Sequence, residues 1–271
     1  MAMKMKKYEE LELRDDYMFS RIMSDPEFVK PLLETILGVK IRKIVYPQTQ
    51  KTIDLSLRAK GIRLDVYVED DQNTVFNLEM QTSDNRNLPK RMRYYQGVID
   101  LNILDKGQDY TTLKKSYVIF ICTFDPFGEG RHIYTFCNTC QENTALTLDD
   151  DAVKIILSTK GTMDDVSPEM KRILDYIDGK GASDKFTEEL EEAVRSARQN
   201  ERWRLDYMTL EYEYRQRYLE GKEEGREEGR AEGRERTIQK LHERGESIAS
   251  IADIVELNEE EVKRVISKLK L

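Results

Sequence analysis

No stretch of these 271 residues is long or apolar enough to cross a membrane as a helix. The opening, MAMKMKKYEELELRDD, lacks the apolar run a secretory signal needs. Three cysteines cannot all pair, so a disulfide framework has no support. These absences point to the cytoplasm. Zinc-ligand spacing is also thin. His132, Cys137 and Cys140, with Cys122 as a fourth candidate, contain one CxxC, where a structural site wants paired clusters. Buried or idle thiols are the simpler reading. Net positive charge is missing as well: the chain carries −8, which argues against holding nucleic acid by bulk attraction. The deficit is uneven. From Asp184 onward, 18 Lys and Arg stand against 23 Asp and Glu, whereas the first 183 residues carry 26 against 29. The first part is close to neutral, which leaves room for a local basic groove.

What is present is a composition of 39% hydrophobic and 35% charged residues, enough for one sizeable core plus a charged appendage. The most informative stretch is IRLDVYVEDDQNTVFNLEMQ, from Ile62 to Gln81. Ile62, Leu64, Val66 and Val68 alternate with Arg63, Asp65, Tyr67 and Glu69. Phe76, Leu78 and Met80 alternate with Asn77, Glu79 and Gln81. Period-two alternation predicts two half-buried strands, and Glu69 to Asn73 has turn composition. An antiparallel hairpin centred on Gln72 sets Asp65 opposite Glu79, with Gln81 on the same face; a slip of one residue breaks this. Like charges opposed in a sheet repel. A divalent metal with oxygen ligands would reconcile them. Alternation by itself allows, and even favours, a pair that simply points into water.

Asp65 followed by Glu79-x-Gln81 on the next strand resembles the core of the PD-(D/E)XK nuclease superfamily. More narrowly, it resembles the recombination-promoting nuclease/transposase (Rpn) family, in which Gln often fills the last motif position. The opening DDYMFSRIMSDPEFVKPLLETILG, the segment RMRYYQGVIDLNIL and the tail EGKEEGREEGRAEGRE carry the resemblance over nearly the whole chain. It implies a restriction-endonuclease-like α/β fold, a mixed sheet flanked by helices, with a charged helical C-terminal extension. It also implies Mg²⁺- or Mn²⁺-dependent hydrolysis of DNA. Asp65, Glu79 and the Met80 carbonyl would hold the metal, Gln81 would serve as the last catalytic group, and Glu34 or Asp16 on a preceding helix are extra acidic candidates. The superfamily commonly has Lys where this chain has Gln81. Lys90, Arg91 or Arg93 are candidates for the missing cation. They cluster at the start of a helix expected over 87–105, with Asn87 as cap and Pro89 in its first turn. A phosphate contact through Lys90 or Arg91 is one reading of that cluster, and a solvated basic face is the other. A catalytically weak or inert nuclease-like protein that binds DNA or a partner is the alternative.

Elsewhere, residues 15–37 read as helical, with Asp25 capping, Pro26 in the first position, Gly38 ending and Pro31 imposing a kink or a split. Residues 40–60 read as one or two strands around Pro47, made basic by Arg42, Lys43, Lys51, Arg58 and Lys60. Ser116 to Phe124 is a continuous apolar run suited to a buried central strand. His132 to Cys140 and Val153 to Leu157 follow as strands. The expected divisions are a nuclease core over 1–165, a charged helical extension over 166–219, a tetrad segment over 220–244 and a two-helix module over 245–271. In the tetrad segment Gly221, Gly225, Gly229 and Gly233 each cost a helix about 1 kcal/mol. The expectation there is a spacer, or a helix that forms on pairing and makes a homo-oligomer. The last module resembles a helix-turn-helix, but its second helix opens with Glu259, Glu260 and Glu261, which would repel phosphates. A packing or partner module is the better reading.

Overall fold

The computed structural model describes residues 5–53 and 62–269. Two helices come first, α1 (Asp16–Ile22) and α2 (Pro26–Leu37). The break between them falls at Asp25, not at Pro31. Asp25 accepts a hydrogen bond from the Glu27 amide, and Pro26 gives up an amide that needs no partner there. Pro31 lies within α2, which continues to Gly38, whose φ of 67° suits a residue without Cβ.

The sheet follows. Strand β1 (Ile44–Ile53) pairs antiparallel with β2 (Ile62–Asp70), which pairs antiparallel with β3 (Val75–Gln81). Pro47 lies inside β1 and does not divide it; β1 is an edge strand, where a missing donor is tolerated. Arg58 and Lys60 lie outside the described residues. Helix α3 (Leu88–Ile103) leads to β4 (Ser116–Cys122), then β5 (Ile133–Phe136) and β6 (Ala152–Ser158). The order is β1-β2-β3-β4-β6-β5, with β4 parallel to both of its neighbours. The buried apolar run of β4 thus lies between two strands, as a two-sided parallel strand requires. From α3, Leu88, Met92, Tyr95, Val98 and Ile99 pack over Tyr67, Val118, Phe120 and Cys122 of the sheet.

Helices α4 (Pro168–Ile177) and α5 (Lys185–Arg198) complete this unit. They pack onto the same body as the sheet, which therefore extends from Lys6 to Leu205, well past residue 165. Tyr8 donates to the Ala197 carbonyl at 2.6 Å, and Arg198 donates to the Leu11 carbonyl at 2.7 Å. These ties between the chain's start and α5 have no signature in local sequence.

A second unit comprises Asp206–Leu271. Helix α6 (Glu201–Glu243) runs unbroken for 43 residues, so the glycine tetrads form the middle of a helix rather than a flexible spacer. Helices α7 (Ile248–Val255) and α8 (Glu259–Leu269) pack with the end of α6 around Ile238, Ile251, Val255 and Val262. Asn258 and Glu261 exchange backbone hydrogen bonds at 2.9 and 3.1 Å, a reciprocal cap at the start of α8. Among the described residues, no helix is long and apolar enough to cross a membrane.

Candidate active site

The hairpin has the register that the alternation predicts. Val66 lies opposite Leu78, Tyr67 opposite Asn77 and Val68 opposite Phe76, all centred on residue 72. The turn is fixed by Asp70, whose carboxylate accepts from the amides of Gln72 and Thr74 at 2.9 and 2.8 Å. Asn73 takes a φ of 62°, a conformation Asn adopts more readily than most residues.

The backbone pairing ends at Val66 and Leu78, one residue before the acidic pair. There the carboxylates take over from the ladder. Glu79 Oε1 accepts from the Asp65 amide at 3.1 Å, and Asp65 Oδ2 accepts from the Met80 amide at 3.2 Å. Each acid thus satisfies an amide of the other strand, which would otherwise go unpaired. Both groups are held where the strands part. Glu79 is only 1% exposed.

Arg91 reaches this pair from the first turn of α3. It donates to Glu79 Oε2 at 3.0 Å, to Gln81 Oε1 at 2.6 Å and to the Tyr95 hydroxyl at 3.0 Å. Its guanidinium lies 4.8 Å from the Phe120 ring centre. Gln81 donates its amide to the Ser83 carbonyl at 2.5 Å, so both ends of that side chain are committed. Lys90 and Arg93 are exposed and point away, because three and four residue steps place Arg91 and Tyr95, not their neighbours, on the sheet-facing side.

Electrostatics follow from burial. The Glu79 carboxyl is held well above the ordinary carboxylate range, first by burial and then by the charge of Asp65; the Asp65 amide and Arg91 oppose the shift in part. Burial works against the charge on Arg91 too, but Tyr95 and Glu79 outweigh it and raise its pKa. Burial likewise raises the Tyr95 hydroxyl, with the charge of Glu79 adding to the effect. Asn77 lies on the same face, fully buried, and among the described residues neither end of its amide has a hydrogen-bond partner. It is close enough to weigh on Glu79 without closing a good hydrogen bond.

Of the other acidic candidates, Glu34 is engaged elsewhere. Glu34 accepts from the Ile41 amide at 2.9 Å and from Lys40 at 2.8 Å, closing the turn after α2. Asp16 is exposed in the first turn of α1. Among the described residues, no group of three or more His, Cys, Asp or Glu side chains could hold a metal ion. The His132 ring lies between Asp165 at 2.9 Å and Lys171 at 2.8 Å, away from the cysteines' partners. Cys122 is in the core and Cys137 is exposed.

Two carboxylates and a neighbouring carbonyl make a hard-oxygen donor set, suited to Mg²⁺ or Mn²⁺. Burial first and the charge of Asp65 second raise the Glu79 carboxyl, and a bound cation would offset both. The residues present therefore fit a divalent cation. Sequence reasoning missed Tyr95 and Asn77. The signals were there: Tyr95 is four residues from Arg91, and Asn77 shares the parity of Glu79 and Gln81.

Among curated proteins and among solved structures, nothing matches the chain. The family model described as PD-(D/E)XK nuclease family transposase matches residues 13–157, a span that holds the hairpin, Arg91 and the six-stranded sheet up to the penultimate residue of β6. With more than half of its length, residues 13–157, matched by that family, the chain belongs to the PD-(D/E)XK nuclease family of transposases.

Proposed function

We propose that the protein is an Mg²⁺- or Mn²⁺-dependent endonuclease that hydrolyses DNA phosphodiester bonds, in a recombination or mobile-element role and in the cytoplasm. The observation that carries this reading is the mutual capping of Asp65 and Glu79, which holds two acids side by side on neighbouring strands.

Asp65, Glu79 and the Met80 carbonyl would hold the cation. Bound there, it would lower the pKa of a water and offset charge on the phosphate oxygens. Gln81 keeps Arg91 aimed at the pair, so α3 supplies the positive charge that the superfamily more often takes from a motif Lys. Arg91 is thereby placed to meet a scissile phosphate and to keep Glu79 ionised. Lys90 and Arg93, exposed on the same helix, would contact the DNA backbone away from the reacting bond.

A second reading has one observation in its favour. Arg91 already occupies Glu79 Oε2 and Gln81 Oε1, where it neutralises part of the charge a metal would meet. An inert DNA- or partner-binding protein that oligomerises through its C-terminal helices would keep that arrangement. Incubation of purified protein with plasmid and Mg²⁺ or Mn²⁺ decides between them. Cleavage lost in Asp65→Ala and in chelator supports the nuclease. Binding without cleavage under both metals supports the second reading.

A further inference from the structure

A cleft of about 240 Å³ lies away from the hairpin, between the segment before α1, the end of α4 and one side of α5. Its floor is apolar, formed by Leu13, Ile177 and Val194. Its rim carries Arg14, Arg195 and Arg198 against Glu12 and Glu191. Most of these charges cancel in pairs, Arg195 also lying 3.8 Å from Glu191. Arg14 spends its guanidinium on Glu12, at 2.7 and 2.6 Å, and Arg195 pairs with Glu192 at 2.7 Å. Arg198 differs. Its Nε donates to the neutral Leu11 carbonyl, and among the described residues its two terminal nitrogens have no hydrogen-bond or ion-pair partner. It is also partly buried.

An unneutralised guanidinium withdrawn from water is costly unless something compensates it. Here it is anchored by one nitrogen, with its two-pronged edge left over, the geometry that binds oxyanions bidentately. The hydroxyl of Tyr176, which also lines the cleft, makes no hydrogen bond among the described residues. Burial, aided by Glu191, pushes its hydroxyl up to about 12, so it stays a donor at neutral pH. Gly179 closes the third side with a φ of 89°, a conformation that favours glycine and leaves the approach to Arg14 free of side chain.

We infer that this cleft binds a small phosphate monoester, with Arg198 and the Tyr176 hydroxyl gripping the phosphate and Leu13, Ile177 and Val194 receiving the apolar part. Phosphate is preferred to carboxylate because the open edge of Arg198 and the Tyr176 hydroxyl together offer more donors than two carboxylate oxygens use, and a third terminal oxygen takes the remainder. The volume falls below the roughly 300–1,000 Å³ typical of drug-sized ligands, which limits the body to mononucleotide size or less. This site is independent of the nuclease reading.

The test is calorimetric titration of the full chain, in chelator, with adenosine monophosphate, inorganic phosphate and adenosine. Adenosine monophosphate should bind at one site per chain, inorganic phosphate more weakly, and adenosine not measurably. Arg198→Gln should weaken binding of the monophosphate about tenfold or more, and Tyr176→Phe by a few-fold. Binding unchanged in a natively melting Arg198→Gln, or adenosine binding as well as its monophosphate, overturns the inference. If loss of the Leu11 contact makes Arg198→Gln melt early, Tyr176→Phe decides, since it gives up no intramolecular hydrogen bond; full affinity in that variant also overturns it.

Discussion

Asp65 and Glu79 hold each other in place: the amide of one donates to the carboxylate of the other, and the carboxylate of the first accepts from the amide that follows the second. Neither side chain can move without unpairing a backbone group on the opposite strand. Asp65→Ala and Glu79→Ala should therefore each abolish plasmid cleavage. Groups that merely support a metal ligand are worth about 10–100-fold, so losing a ligand should cost more. Asp65→Asn keeps an acceptor for the Met80 amide and should melt close to wild type while remaining inactive. Activity in Asp65→Asn comparable to wild type would remove Asp65 from the reaction.

The buried Glu79 also sets a pH dependence for stability. Its folded-state pKa is raised, so the neutral acid is the form the fold favours. The sign follows from linkage: stability is fully present below the unfolded value of about 4.5, which is also its model-compound value, and is lost as pH rises through the higher folded value. Without metal, the protein should thus melt lower at pH 8 than its other groups would dictate. Glu79→Gln should melt higher than wild type at pH 8, with the gap closing near pH 4. Added Mg²⁺ should raise the melting temperature of wild type and not of Glu79→Gln, because a cation that binds the folded form alone stabilises it. Melting curves by differential scanning calorimetry, with and without Mg²⁺, check both signs.

Arg91 is the residue on which sequence and structure differ in sharpness. Its neighbours Lys90 and Arg93 are equal candidates in the sequence; the structure selects Arg91 by bringing it to Glu79 and Gln81. Arg91→Ala should raise the Glu79 pKa further and shift the acid limb of the pH–rate profile upward, with cleavage at pH 7 reduced by about 10–100-fold. Arg91→Lys keeps the charge but loses the fork that spans Glu79, Gln81 and Tyr95, and should fall between the two. A pH–rate profile for Arg91→Ala that overlays wild type would exclude coupling to Glu79.

The hairpin was legible because period two leaves only two parities, and the turn around Gln72 selects the register. The caps at Asp25 and Asn258 were legible for a similar reason: each is a contact within three residues. What was not legible depends on long-range approach. Nothing local indicates that Tyr8 reaches Ala197 or that Arg198 reaches Leu11, so the docking of α5 on the chain's first residues has no local signal. Glu34 had the right charge on the right segment, but the turn after α2 claims it. Glycine propensity argued against a helix where α6 is continuous, because propensity counts local cost and not what flanking turns contribute.

Lys90 and Arg93 offer a test of DNA contact separate from chemistry. Both are exposed near the N-terminal end of α3, beside the acidic pair but not in it. If they meet backbone phosphates, Lys90→Ala and Arg93→Ala should weaken binding equally across unrelated duplexes. Each should lower the slope of log affinity against log salt by about one. Fluorescence anisotropy in Ca²⁺, at several salt concentrations, measures both. A slope equal to wild type in the double variant would assign these cations to solvent.

The glycines of α6 bear on how the C-terminal helices are used. Gly221, Gly225, Gly229 and Gly233 recur on a stretch that is exposed throughout, with open space where each Cβ would stand. Four such residues cost the helix about 4 kcal/mol relative to alanine. Ion pairs such as Arg226–Glu223 and Arg236–Glu232 return about 0.2–0.5 kcal/mol each. If pairing with a second copy meets that deficit, the small residues would let two backbones approach. Helical content of the wild-type chain should then fall on dilution, as copies separate. Replacing all four glycines with alanine should remove that dependence, since the helix no longer needs a partner to form. Circular dichroism across a dilution series, with light scattering for mass, reads both effects. Constant helicity in the wild type from its oligomer down to its monomer would leave the pairing without a role in holding α6.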